Sequence, residues 1–169
     1  PGTAYVEVLN GEQLVASQYL NVSIAAPGVF TLSSTGAGQA AVLNQDYSLN
    51  GNPAQIPNSK PEMRGRYLLI YANGQGSLLL NAASLELISL ASGFPAPANA
   101  NPLYITAASP TVTIGGVPAT VSFSGLAPGY VGLWQINVQI PHNAPVGNDV
   151  PLVINFGDKA SRTTTIAVN

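Results

Sequence analysis

Residues 111–141 read TVTIGGVPATVSFSGLAPGYVGLWQINVQIP. Val112 and Ile114 alternate with threonine, Gly115-Gly116 supplies a two-residue turn, and Val117, Val121 and Phe123 continue beyond it, the pattern of a β-hairpin. From Trp134 the alternation is strict. Trp134, Ile136, Val138 and Ile140 share one face, and Gln135, Asn137 and Gln139 the other. A period of two with one apolar and one amide face predicts a strand that covers a core on one side and meets water on the other.

The same rhythm runs outward in both directions. The 17 glycines and 14 prolines are spread along the chain, and the short runs between them are rich in Val, Ile, Thr and Tyr. Further strands are predicted at 5–9, 20–24, 39–43, 67–72, 150–156 and 163–168. One stretch is ambiguous: 78–90, LLLNAASLELISL, has no Gly or Pro, and leucines 79, 80, 87 and 90 fit one helix face, while Leu85, Leu87 and Ser89 fit an alternating strand nearly as well. It is read as a strand or a short helix packed on the sandwich. Residues 94–102 (FPAPANANP) read as an extended, exposed connector and 51–61 (GNPAQIPNSKP) as a second long loop.

Composition narrows the classes. Charged residues are 7% of the 169, five Lys and Arg against seven Asp and Glu, where an ordinary domain has about 25%. The 47 Asn, Ser, Thr and Gln residues take over the outward faces. Five scattered basic residues cannot supply the phosphate contacts on which nucleic-acid binding draws. A 46% hydrophobic content excludes disorder, and no apolar run approaches the roughly 20 residues of a membrane helix. Neither nucleic acid nor membrane insertion is expected. With no Cys there is no disulfide, thiolate metal site or Cys nucleophile. Pro1 and the lack of a signal-like segment read as a processed or excised piece.

The two ends of the sequence echo one another. PGTAYVEVLNGEQLVASQYLNV near the start and PVGNDVPLVINFGDKASRTTTIAV near the end both begin with Pro and Gly, carry an apolar strand to a glycine turn at Gly11 or Gly157, and finish in Val. Residues 1–25 therefore read as the last hairpin of an immunoglobulin-like repeat, and 26–169 as the main domain.

APGVFTL (26–32), GAGQAAVLNQDYSLN (36–50), YANGQG (71–76), the 111–141 stretch and PLVINFGDKAS (151–161) together resemble the Solibacter-type C-terminal domain, an uncharacterised family at the ends of large secreted or surface bacterial proteins. PGTAYVEV resembles the end of the transcription-factor-type immunoglobulin repeat that commonly precedes it. The resemblance implies a secreted, non-catalytic β-sandwich and carries no site residues. Residues 78–90 depart from the family pattern.

The chemistry-bearing residues do not assemble into a motif. His142, the one histidine, follows Pro141 in a turn, so a surface role is favoured over acid–base work. Glu7, Glu12, Asp46, Glu62, Glu86, Asp149 and Asp158 are dispersed, leaving only a facing pair of carboxyls across the fold as a route to glycoside hydrolysis. NQDYSLNGN (44–52) approaches a calcium loop with a single acid, and a turn held by side-chain amides is the better reading. NGQG (73–76) and GAG (36–38) open no helix and read as turns rather than phosphate cradles. Lys60 or Lys159 joining an Asn or Asp through an isopeptide bond has no support in the pattern, and Asn21-Val22-Ser23 is an incidental glycosylation match. No cofactor or metal is expected.

Two constellations remain. An edge hairpin with alternating apolar residues pairs with whatever sheet is available. Tyr5, Val6, Val8, Leu9, Leu20, Val22 and Ile24, with Leu78, Leu80 and Leu87 of the unusual stretch, are the candidates for self-association. Alternatively, Tyr47, Tyr104 and Tyr130 could stack on sugars, although tyrosines in apolar strand contexts more often pack in a core. The expectation is an all-β, immunoglobulin-like sandwich with an additional N-terminal β-hairpin. It is read as an extracellular structural module whose partners are copies of itself or neighbouring immunoglobulin-like repeats. A carbohydrate-binding or adhesion module is the alternative.

Overall fold

The structure is a computed structural model describing residues 2–80, 87–88 and 90–169. It is an all-β sandwich with a separate N-terminal hairpin, and no helix occurs among the described residues. The hairpin is β1 (Gly2–Asn10) and β2 (Gln13–Val22), which pair only with each other. The sandwich follows with β3 (Gly28–Val29), β4 (Val42–Asn44), β5 (Leu49–Asn50), β6 (Ser59–Lys60), β7 (Tyr67–Asn73), β8 (Leu78–Leu80) and β9 (Leu87–Ile88). It continues with β10 (Tyr104–Thr106), β11 (Thr111–Ile114), β12 (Val117–Leu126), β13 (Trp134–Gln139), β14 (Gly147–Phe156), β15 (Lys159–Ala160) and β16 (Thr164–Val168).

The hairpin read at 111–123 is present as β11 and β12. Ile114 pairs with Val117 across Gly115 and Gly116, at φ 60° and 79°. Both turn positions need the left-handed region that a tight hairpin demands and glycine adopts without strain. The first residues of β12 pair with β11, and from Thr120 onward the strand pairs with β13. A bulge between Val121 and Phe123 bends it between these two sets of partners. One layer is thus β12–β11–β14, with β15 and β16 along the far side of β14. The other runs β12–β13–β7–β4–β5–β6 and is extended by β10, β8 and β9.

Between the layers Leu68, Ile70, Trp134, Ile136 and Val138 meet Val112, Ile114, Leu152, Ile154 and Ile166. Each is essentially inaccessible to water, and burying a side chain of this kind stabilises by about 1.5–3 kcal/mol. The Trp134 ring meets Phe156 edge to face, centroids 5.8 Å apart. Its Nε1–H donates to Ser124 Oγ at 2.9 Å, so the one polar atom of the indole is satisfied.

The second edge of the sandwich is closed by side chains as much as by strands. Parallel bridges join Gln39 to Thr165 and Glu62 to Val168. Between them the fully buried Asn50 treats Ala167 as a strand neighbour: its Nδ2–H donates to the Ala167 carbonyl at 2.9 Å, and Ala167 N–H donates to its Oδ1 at 2.8 Å. The same Nδ2 reaches Asn44 Oδ1 at 2.8 Å, and Asn44 donates onward to Ser48 Oγ and the Lys60 carbonyl, both at 3.0 Å.

Some boundaries differ from the sequence expectation. The strand expected at 20–24 ends at Val22, leaving Ile24 beyond it, and the one expected at 39–43 starts at Val42 after two isolated bridges. In 78–90 the described residues form two short strands, and 81–86 and 89 lie outside the described residues. The connector 94–102 is mostly exposed but not wholly, because Ala96 is buried and exchanges backbone hydrogen bonds with Gly129 and Tyr130.

Candidate functional site

The hairpin β1–β2 presents two different faces. Ala4 opposite Leu20, Val6 opposite Gln18 and Val8 opposite Ala16 put Val6, Val8, Leu20 and Val22 on one side, with relative exposures of 39–53%. Tyr5 is corrected to the other side. It sits opposite Tyr19, ring centroids 4.9 Å apart, among Thr3, Glu7, Ser17 and Asn21. Tyr5 and Val6 are adjacent and both apolar, so alternation alone did not say which of them belonged with Val8.

The register of this hairpin repeats that of the closing hairpin of the sandwich. Gly2 pairs with Val22 as Gly147 pairs with Val168; Ala4–Leu20 matches Val150–Ile166, and Val6–Gln18 matches Leu152–Thr164. Asn10–Gln13 across Gly11-Glu12 matches Phe156–Lys159 across Gly157-Asp158, with both glycines left-handed at φ 63° and 61°. On this mapping Val6, Val8, Leu20 and Val22 stand where Leu152, Ile154, Ile166 and Val168 stand in the sandwich. Those four are buried.

The leucines of 78–90 divide. Leu78 is corrected from a surface contact to a core residue: it is buried with Ala96 and Leu126, and Ile88, Leu90 and Tyr104 pack against them. Leu80 is half-buried opposite Tyr104 on β10, and Leu87 is exposed. Ile24, Leu78, Phe94 and Val131 contribute to the rim and floor of a depression of about 420 Å³.

Of the sugar-stacking candidates, Tyr104 is corrected to the small core just described. Tyr47 and Tyr130 are 73% and 61% exposed. The structure brings Tyr71 of β7 to them. Tyr71 and Tyr130 line a hollow of about 270 Å³ with Leu43 and Leu133. Burial first, then the nearby phenols of Tyr130 and Tyr47, raise the Tyr71 hydroxyl above its ordinary range. Gln135 lies opposite Tyr71, and Asn137 opposite Leu69, which also faces Leu43. Gln135 Nε2–H donates to Asn137 Oδ1 at 2.9 Å, making an amide pair beside the tyrosine.

Asp46, Glu62 and Asp158 are taken up by structural bonds. His142 is exposed in a turn and leans on Gly65, where an added Cβ would fall 2.5 Å from the ring. The 44–52 loop is a turn held by side chains. Asp46 accepts from Ser48 N–H at 3.2 Å and Ser48 Oγ–H at 2.6 Å and pairs with Lys60, which holds its carboxyl well below the usual range. Glu62, whose burial the sequence reading missed, accepts Gln45 N–H at 2.8 Å and Met63 N–H at 3.0 Å and stands 3.5 Å from Arg66 Nε. Lys159 pairs with its exposed neighbour Asp158. Among the described residues no three His, Asp or Glu side chains converge as metal ligands would.

Comparison with known proteins gives no identification: no family model matches the sequence, and neither curated proteins nor solved structures give a significant match.

Proposed function

We propose that the chain is a non-enzymatic structural module of an extracellular bacterial assembly, and that β1–β2 is its joining element, a closing hairpin that completes a β-sandwich in a neighbouring unit. The observation that carries this is the register match between β1–β2 and β14–β16. In the sandwich, residues 152–155 of β14 pair with β11, and the same hairpin turns Leu152, Ile154 and Ile166 into the core. The corresponding edge of β1, Val6 to Leu9, pairs with no described strand, and its apolar face is in water. A two-stranded hairpin is marginal by itself, so this element gains most of its stability from a partner sheet.

The match also describes the partner. In an intact copy the place beside β11 is filled by its own β14, whose Leu152, Ile154 and Phe156 are more apolar than Val6, Val8 and Asn10. The acceptor is therefore a sandwich with an open closing position, in an adjoining immunoglobulin-like repeat or in a copy that has exchanged its hairpin. Between copies that exchange hairpins, a join of this kind is head to tail and propagates into an array. The low charge of 7% opposes such contacts little. The extracellular setting comes from the sequence resemblance alone.

The test is sedimentation velocity with electron microscopy on the chain, a version lacking residues 2–22, and the substitutions Val6→Lys and Leu20→Lys. Concentration-dependent association that both lysines abolish, while Thr3→Lys on the opposite face leaves it in place, is the expected result. Deletion of 2–22 with no change in oligomeric state or melting temperature would overturn the reading.

A further inference from the structure

A bulky side chain in the left-handed backbone region is uncommon and costly. Tyr47 holds it at φ 63° while 73% exposed, so no burial of the ring repays the conformation. The surroundings over-determine the turn. Tyr47 N–H donates to the Asn44 carbonyl and Asn44 N–H to the Ser48 carbonyl, both at 2.9 Å, while Asp46 is gripped by Ser48 and Lys60. A strained, well-anchored turn that projects an aromatic ring into water argues for a use of that ring. Tyr130 is projected comparably from a loop whose backbone is tied to Ala96 on both sides.

Tyr130 lines the sheet face carrying Leu43, Leu69, Tyr71, Gln135 and Asn137, and Tyr47 lies near enough to Tyr71 to act on its hydroxyl. These strand positions bear no charge, and the nearby Asp46 is neutralised by Lys60. The hollow between Tyr71, Tyr130, Leu43 and Leu133, about 270 Å³, lies just below the roughly 300–1,000 Å³ of sites for drug-sized ligands. Apolar walls with a few amides at one side suit a ring that has C–H groups on its faces and hydroxyls around its rim. Tyrosine presents a large, stiff, amphipathic surface to such a ring. Separated aromatic positions along a face match successive units of a chain better than a single compact molecule.

We propose that this face, with Tyr47, Tyr71 and Tyr130 as its aromatic positions and Gln135 and Asn137 as its polar ones, binds a neutral glycan chain. It shares no residue with the hairpin surface, so either proposal stands if the other fails.

The experiment is affinity electrophoresis of the full chain in native gels cast with hydroxyethylcellulose, galactomannan or, as an anionic comparator, alginate. The chain is slowed by at least one of the two neutral polymers and not by alginate. Tyr130→Ala, and Tyr47→Asn chosen because Asn tolerates the left-handed backbone, each weaken the retardation about tenfold, ~1.4 kcal/mol. Tyr19→Ala on the hairpin leaves it unchanged. Near-ultraviolet circular dichroism and melting confirm that the variants are folded. Free migration in both neutral gels, slowing by alginate alone, or slowing that survives the double variant Tyr47→Asn/Tyr130→Ala would overturn the proposal. A double variant that changes sedimentation and leaves retardation intact would assign the face to a protein contact instead.

Discussion

The molecule holds two hairpins of one design in two environments. β14–β16 and β1–β2 share register, a Gly-acid turn and an inward-facing apolar row, yet Ile166 is fully buried whereas its counterpart Leu20 is 45% exposed. A local pattern sets the strand pairing of a hairpin in both places. Only the surrounding sheets decide whether the apolar row becomes a core. The same register and apolar row therefore leave a hairpin exposed when no further described strand pairs with it.

Truncating the matched pair, Ile166 and Leu20, separates the two environments most strongly. Ile166→Ala removes a fully buried side chain and is expected to cost ~2–5 kcal/mol in urea unfolding. Leu20→Ala in the dissociated chain is expected to fall within about 0.5 kcal/mol, as surface changes do. Equal losses at the two positions would show that β1–β2 is already packed as firmly as β14–β16. If Leu20→Ala becomes costly only at concentrations where the chain associates, the partner sheet has been found.

A second difference is the latch. β16 is held on its outer side by Asn50, which gives Ala167 both a donor and an acceptor, and among the described residues no such clasp reaches β2. Asn50→Ala leaves the buried Ala167 N–H without its acceptor, while the Ala167 carbonyl keeps the Glu62 N–H at 3.1 Å, an expected loss of ~1–3 kcal/mol. Native-state hydrogen exchange should show the loss concentrated at Thr165 and Ala167, with amides of β1 and β2 unchanged. A uniform loss across the sandwich would mean that the latch is part of the global unfolding unit instead of a local edge clasp.

Much of this was legible in the sequence, for definable reasons. Strict alternation in 134–140 and the paired glycines at 115–116 fixed strand, face and turn, because period two and a left-handed turn leave few alternatives. The echo between the chain's ends located the second hairpin. The reading failed where two apolar residues are adjacent, as at Tyr5-Val6, and where a residue's neighbours come from distant segments. Leu78 and Tyr104 became core because the connector near Ala96 covers them. Tyr71 joined the exposed tyrosines because β7 lies beside β13. Asn44, Asn50 and Glu62 resemble loop polar residues locally, and their burial follows from edge closure by residues 165–169.

The smallest expected effect is on pH dependence, and it too separates the two hairpins. Asp46 orders the turn between β4 and β5 next to the latch, and Lys60 and Ser48 lower its pKa from the ordinary 3.8. A carboxyl whose folded pKa is depressed contributes stability that is complete above the unfolded value and is lost as pH falls through the folded one. The melting temperature of the sandwich should therefore carry an acid-side slope below about pH 4 that Asp46→Asn removes, the two proteins converging as pH falls through the depressed folded pKa. The group is exposed, so the slope is shallow and fades with added salt. The face of the hairpin that carries Val6 and Leu20, on which the proposed association rests, bears no ionisable side chain. That association should pass through the same pH range unchanged in the Asp46→Asn variant, and a parallel loss of association would tie the joining element to the latch end of the sandwich.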